Sequence, residues 1–197
     1  MSRKIILSVH VSLDGFVGGP KGEMDWIKID DEMFNFVGTF TDAADGVIYG
    51  RKTYEMMQAY WPTADQQPNA TKHDLQHSEW YRRVDKLVIS RTMQNEQREK
   101  TQFAGDHIPE KVRAFKQQPG KNILIFGSPS AAHLLMEHGL IDEYWLFYYP
   151  VAIGGGIPLF RQDGTRQQLQ LLECKKFPTG MVGMHYHAPT PAGALSL

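Results

Sequence analysis

Short apolar runs that end at a glycine or serine, with polar or helix-compatible sequence directly after them, recur through this chain and restrict it to one kind of architecture. In Asp45-Gly46-Val47-Ile48-Tyr49-Gly50-Arg51-Lys52-Thr53-Tyr54 the run closes on Gly50 and a basic helical segment opens at once. A run over 85–90 leads into Ser90-Arg91-Thr92, and a run over 122–126 leads into Gly127-Ser128-Pro129-Ser130. Strands that alternate with helices must be covered on both faces, so the pattern predicts an α/β fold with a central, mostly parallel sheet between helices. Ligands in such folds bind beyond the carboxyl ends of the strands.

The remaining segments fit this frame. Ile5, Leu7, Val9 and Val11 alternate with Ile6, Ser8, His10 and Ser12, which predicts a first strand with one partly polar face, ending at Asp14-Gly15. Gly18-Gly19-Pro20-Lys21-Gly22 reads as a loop. Met33, Phe36, Val37 and Phe40 recur at helical spacing and predict a helix around 30–40. Further helices are expected over 53–60, 110–117 and 130–138, the last stopped by Gly139, and a strand over 142–149. Runs over 168–175 and 180–187 read as a C-terminal antiparallel hairpin turning at Pro178-Thr179-Gly180. Residues 61–80 are polar and proline-bearing, with no structure assigned, and 188–197 read as a disordered tail behind a single domain over 1–187.

Composition narrows the function classes. With 197 residues and 42% hydrophobic content the chain suffices for one well-buried domain. A formal net charge of −1 gives no electrostatic footprint for nucleic acid or an anionic membrane. Cys174 is the only cysteine, which excludes an internal disulfide and fits a reducing cytosol. The first apolar run stops at Ser8, short of a signal-peptide core, so a cytoplasmic protein is expected. The histidines show no ligand spacing with cysteine or acidic partners, and no metal site is expected.

Glycine lets backbone approach a ligand closely, and the first free N–H groups of a following helix attract phosphate. Arg51, Lys52 and Thr53 add cationic and hydroxyl donors behind Gly50. Ser128 is suited to cap the next helix and Pro129 to its first turn. Ser90, Arg91 and Thr92 suit a phosphate monoester. Each segment alone reads equally as capping or turn chemistry. Three at successive strand ends point to an extended ligand carrying several phosphates, such as a dinucleotide. The G-x-G-x-x-G fingerprint is missing after the first strand, and Gly154-Gly155-Gly156 reads as a tight loop, so a nicotinamide cofactor would bind in a non-Rossmann manner.

Ser12-Leu13-Asp14-Gly15-Phe16, Gly50-Arg51-Lys52-Thr53-Tyr54, Ile125-Phe126-Gly127-Ser128, Asp142-Glu143-Tyr144 and Pro158-Leu159-Phe160, in this order, resemble the dihydrofolate reductase-like superfamily, and within it the riboflavin-pathway reductase branch. The resemblance implies a three-layer fold and an NADPH-dependent oxidoreductase. Its substrate would be a planar nitrogen heterocycle, in the first place 5-amino-6-(5-phosphoribosylamino)uracil; dihydrofolate or pterin reduction, or a nucleotide-binding module without turnover, are the alternatives. The resemblance puts Gly50, Arg51, Lys52 and Thr53 at the cofactor's phosphates and Ser90 and Arg91 at its 2′-phosphate. Gly127, Ser128, Pro129 and Ser130 fall at the pyrophosphate and nicotinamide, and Val17 and Gly18 in the nicotinamide pocket. Met24 and Trp26 would belong to a covering loop, with His10 and Phe36 near the substrate.

Dihydrofolate reductases carry a Gly-Gly pair where Gly127-Ser128 stand here, and one acid on the first helix that grips the pterin ring. Here Asp30, Asp31 and Glu32 crowd that helix start, where acids also suit the helix dipole. Glu32, sharing a face with Phe36 at i+4, is the candidate to enter the pocket. Proton sources under consideration are Asp14, which reads equally as a turn residue, Glu32, and water. His10 reads as a substrate contact or a hydrogen-bonded structural histidine. The chain lacks the His-x-Glu and Cys-x-x-Cys zinc signature of the pathway's deaminase. The aromatic run Tyr144-Trp145-Leu146-Phe147-Tyr148-Tyr149 exceeds what one sheet face needs and suggests a homodimer.

Overall fold

The computed structural model describes residues 3–189. Among these residues the strands are β1 (Ile5–Ser12), β2 (Phe16–Gly18), β3 (Ala44–Gly50), β4 (Asp85–Ile89), β5 (Thr101–Ala104), β6 (Asn122–Phe126), β7 (Glu143–Tyr149), β8 (Ile157–Pro158), β9 (Gln170–Lys176) and β10 (Val182–His187). The helices are α1 (Asp31–Asp42), α2 (Arg51–Tyr60), α3 (Lys72–Arg83), α4 (Ile108–Gln117) and α5 (Pro129–Glu137), with a 3-10 turn over Trp61–Gln66. Eight strands form one sheet in the order β5-β4-β3-β6-β1-β7-β10-β9, and β2 pairs with β8 beside it. The six strands from β5 to β7 run parallel; β10 and β9 are antiparallel, the hairpin expected from the alternation over 168–187.

Alternation along the strands divides the core. Ile5, Leu7, Val9, Ile48, Ile123 and Ile125 pack with Val112 and Phe115 of α4 and Ala132 and Leu135 of α5. On the other face Val47, Tyr49, Val88, Leu124 and Trp145 pack with Met33 of α1 and Trp80 and Tyr81 of α3. Two sets of helices on one sheet make three layers. At about 25 cal/mol per Å² of buried apolar surface, these two layers supply the main drive for folding.

Residues 61–80, left unassigned from sequence, form the 3-10 turn and most of α3. Thr71 and Asp74 make a reciprocal capping box at the start of α3, with the Thr71 hydroxyl accepting from Asp74 N and Asp74 Oδ2 accepting from Thr71 N at 2.8 Å. That Thr-x-x-Asp signature is visible in sequence. Short β2, β5 and β8 lack enough length for periodicity to register. Within the aromatic run of β7, Trp145 and Phe147 pack on Phe36 and Phe40 of α1, and every residue of the run but Tyr148 is buried within the chain. Ala188 still donates to Asp142 O at 2.9 Å; the expected tail from 190 onward lies outside the described residues. Among the described residues no helix is long and apolar enough to cross a membrane.

Candidate functional site

Register brings the carboxyl ends of the central strands together. Ser8 of β1 lies opposite Phe126 of β6, and Ile48 of β3 opposite Ile125. The turns that follow, at Gly50 and Gly127, are therefore neighbours although 77 positions separate them in the chain. Gly50 N–H donates to Ser128 Oγ at 2.8 Å, tying the start of α2 to the start of α5. A Cβ at Gly50 would collide with Ser128 Oγ, which gives the glycine its physical reason.

Ser128 thus does something other than the expected capping. It sits at the N-cap of α5, but no side-chain cap bond forms there because its hydroxyl is turned to Gly50. Gly127 and Ser128 both have φ of 56°, so two successive residues in the left-handed region curl the loop into a concave turn. Pro129 opens α5 as expected. The N-terminus of α2, capped by Gly50, also lacks a side-chain cap bond. Two helix N-termini with uncapped first turns, the anion-attracting ends of their dipoles, thus lie side by side.

A cavity of about 640 Å³ opens beside these ends. Lys52 and Thr53 of α2 line it, as do Gly127, Ser128 and Pro129, Val17 and Gly18 of β2, Met24, and Ser8 and His10 from the polar face of β1. Among the described lining residues only Lys21 and Lys52 carry charge, and none carries a carboxyl group. The site has the donors a dinucleotide's phosphates require: uncapped N–H groups, a lysine and a glycine turn that leaves the backbone open.

Other expected residues stand outside it. Arg51 is exposed and pairs with Glu55 one helical turn on, at 2.9 Å, and Ser130 is exposed on α5. Ser90 is buried and its hydroxyl accepts from Met93 N at 3.2 Å, closing the turn after β4, while Arg91 is exposed. Neither Ser90 nor Arg91 lines the cavity.

The two acids expected to deliver a proton have other work. Glu32 does share a face with Phe36, but that face packs against the end of the sheet: Glu32 Oε1 pairs with Lys175 Nζ at 3.0 Å, and the same ammonium lies 5.5 Å from the centre of the Phe36 ring. Phe36 is ringed by Phe40, Trp145, Phe147 and Phe177 and belongs to the core. Met33, Phe34 and Val37 present the helix to the cavity instead. Asp14 accepts from Ser12 Oγ at 2.6 Å and Gly154 N at 2.8 Å, joining the β1–β2 turn to the glycine loop. The Ser12 hydroxyl foremost, then the backbone N–H groups, hold its carboxyl below the usual range, so it stays ionised.

His10 lines the cavity and its Nδ1 lies 3.1 Å from Tyr149 Oη. Burial lowers its pKa to about 4, leaving it neutral near pH 7. Trp26 packs edge-on against Tyr149 at 5.5 Å, outside the lining.

A second wall of the cavity is aromatic, built from residues with no role expected from sequence. Phe34 of α1 stacks on His73 of α3 at 3.9 Å, Trp61 meets His73 at 5.5 Å and His77 at 4.0 Å, and Trp61 Nε1 donates to Met57 Sδ at 3.0 Å. All five line the cavity. The signal for it was the capping box, since a helix starting at Thr71 puts His73 and His77 on one face at i and i+4.

Residues 3–183 match the RibD C-terminal domain family. An uncharacterised protein of Bacillus subtilis (strain 168), YyaP, is 37% identical over 187 residues, covering 94% of this chain and 95% of its own. Among solved structures, a diaminohydroxyphosphoribosylaminopyrimidine deaminase/5-amino-6-(5-phosphoribosylamino)uracil reductase from Thermotoga maritima superposes with a TM-score of 0.67 at 12% identity, over 95% of this chain and 57% of that one. A pyrimidine reductase-like protein from Corynebacterium diphtheriae gives a TM-score of 0.64 at 14% identity, over 95% and 92%. The fold is dihydrofolate reductase-like, and the chain belongs to the RibD C-terminal domain family.

Proposed function

We propose that the protein is an NADPH-dependent oxidoreductase that reduces a planar heterocycle. The observation that carries this reading is the junction of two uncapped helix N-termini, α2 and α5, held together by the Gly50–Ser128 bond and opening with Lys52 on one cavity. Those N–H groups, Lys52 and Thr53 would hold the cofactor's phosphates, and Val17 and Gly18 would wall its nicotinamide. Bound there, NADPH supplies hydride. The chain's task is then to orient the acceptor and exclude water, which needs no protein nucleophile. With no carboxyl group on the described lining, His10 neutral and Lys52 engaged by phosphate, this reading assigns the proton to water.

The test is a fluorescence titration with NADPH and NADH, followed by NADPH oxidation with a panel of heterocycles. Saturable NADPH binding that weakens about 10- to 150-fold in Lys52→Ala is expected, in line with roughly 1.5–3 kcal/mol for one charge-assisted contact. Absence of any saturable signal ends the cofactor assignment. Binding without oxidation of NADPH by any acceptor would favour a nucleotide-binding module without turnover.

A further inference from the structure

The wall built from α1, the end of α2, the 3-10 turn and α3 differs in chemistry from the turns that meet phosphates. It consists of Phe34, Met33, Met57, Trp61, His73 and His77, with no formally charged side chain of either sign. Both histidines are held neutral at pH 7: burial lowers the His73 pKa, and burial with His73 alongside lowers that of His77 to about 3. Geometry agrees, because His77 is 8% exposed and its Nε2 has no hydrogen-bond partner among the described residues, so nothing there would compensate an imidazolium.

Two kinds of ligand are disfavoured by such a wall. A phosphate or carboxylate placed against it would lose its water without gaining a cation, at a cost of several kcal/mol per charge. A protonated pterin or amidine-like ring would find no carboxylate, since Glu32 is turned away to Lys175. A flat uncharged ring suits it, because aromatic faces and methionine sulfur gain from stacking and edge contacts without geometric demands.

We infer that the substrate of this cavity is an uncharged, phosphate-free planar aromatic of the alloxazine or quinone kind, recognised by stacking within the Phe34–Trp61–His73 wall. The inference rests on the reductase reading of the same cavity, and it separates this chain from the phosphoribosyl substrate named for its Thermotoga maritima fold relative. Lys21, exposed in the loop after β2, is the cation that could contradict it by holding a substrate phosphate.

A graded series decides: lumiflavin, riboflavin and FMN carry the same ring, riboflavin adds an uncharged ribityl chain, and only FMN adds a phosphate, so the step from riboflavin to FMN isolates the phosphate. NADP+ binding is measured first by calorimetry on the full chain, then each flavin is titrated into the NADP+-loaded and unloaded protein, with menadione as a second uncharged probe. Lumiflavin and riboflavin are each expected to bind at least 10-fold tighter than FMN, and riboflavin binding no tighter than FMN overturns the inference. Phe34→Glu, checked for folding by circular dichroism, should weaken lumiflavin at least 10-fold, while Lys21→Ala should leave it within 2-fold. FMN binding as tightly as lumiflavin, or FMN losing affinity in Lys21→Ala, overturns the inference, as does absence of saturable binding by both lumiflavin and menadione. Failure of NADP+ to bind while lumiflavin keeps its preference over FMN supports the wall's selectivity and removes the cofactor assignment alone.

Discussion

Ser128 carries two opposed energies, and substituting it in two ways separates them. Its hydroxyl is the acceptor for Gly50 N–H at 2.8 Å, at a site where Ser128 is 6% exposed. Removing that acceptor strands a buried donor, which costs about 1–3 kcal/mol. Its backbone meanwhile stands at φ 56° and ψ 66°, a left-handed conformation costing a non-glycine residue roughly 1–2 kcal/mol. Ser128→Ala keeps the strain and loses the bond, so stability should fall by about 2 kcal/mol. Ser128→Gly loses the same bond and relieves about 1 kcal/mol of strain. The expected order is wild type, then Ser128→Gly, then Ser128→Ala. At about 2–4 °C per kcal/mol for a chain of this size, Ser128→Ala should melt about 4–8 °C below wild type and Ser128→Gly about 2–4 °C above Ser128→Ala. Thermal unfolding followed by circular dichroism reads the order, and calorimetric NADPH titration should show weakening in both, as the bond also fixes one helix N-terminus against the other. Ser128→Ala melting with wild type, or Ser128→Gly melting below Ser128→Ala, would refute the strut.

Acid should destabilise the fold through its buried histidines. The folded pKa values of His10 (about 4) and His77 (about 3) lie below the ordinary 6.5, so between those limits the unfolded chain binds more protons and stability falls as pH falls, fully retained only above about 6.5. Urea midpoints from pH 7.5 to 4.5 should decline, and His77→Phe should flatten the decline; an unchanged slope in that variant contradicts the assignment. Asp14→Ala should speed amide exchange at Ile153 and Gly154, whose N–H groups its carboxylate accepts, and leave turnover within a few-fold; a collapse in kcat with normal exchange would return Asp14 to the role of proton donor. Glu32→Gln, altering an exposed pair with Lys175, should leave NADPH oxidation unchanged within 2-fold, and a larger loss would show that the acid reaches the reacting ring.

The layers of this fold were legible because they obey two periods. Alternation in Ile5 through Ser12 sorted the strand faces, and of the polar residues it isolated Ser8 and His10 line the cavity, joined there by Val9 from the apolar set. The turns at Gly50 and Gly127 announced themselves by composition at strand ends. Ser128 shows where this kind of reading stops. Its type and place say helix cap, and only the register of β3 against β6 brings Gly50 within its reach.

Helical periodicity has the same boundary. It grouped Glu32 with Phe36 correctly, since residues four apart share a face. What that face meets depends on the opposite end of the chain: antiparallel pairing of β9 and β10 sets Lys175 opposite Gly183, and Phe177 stands two positions on, so an ammonium and an aromatic ring await α1 where the first-helix acid was expected to find a substrate. With Glu32 held there, no carboxylate lines the cavity among the described residues, and His73 and His77 of α3 face it instead. The partner that Glu32 finds is thus set by a strand pairing 143 positions further along the chain, at the other end of the sequence.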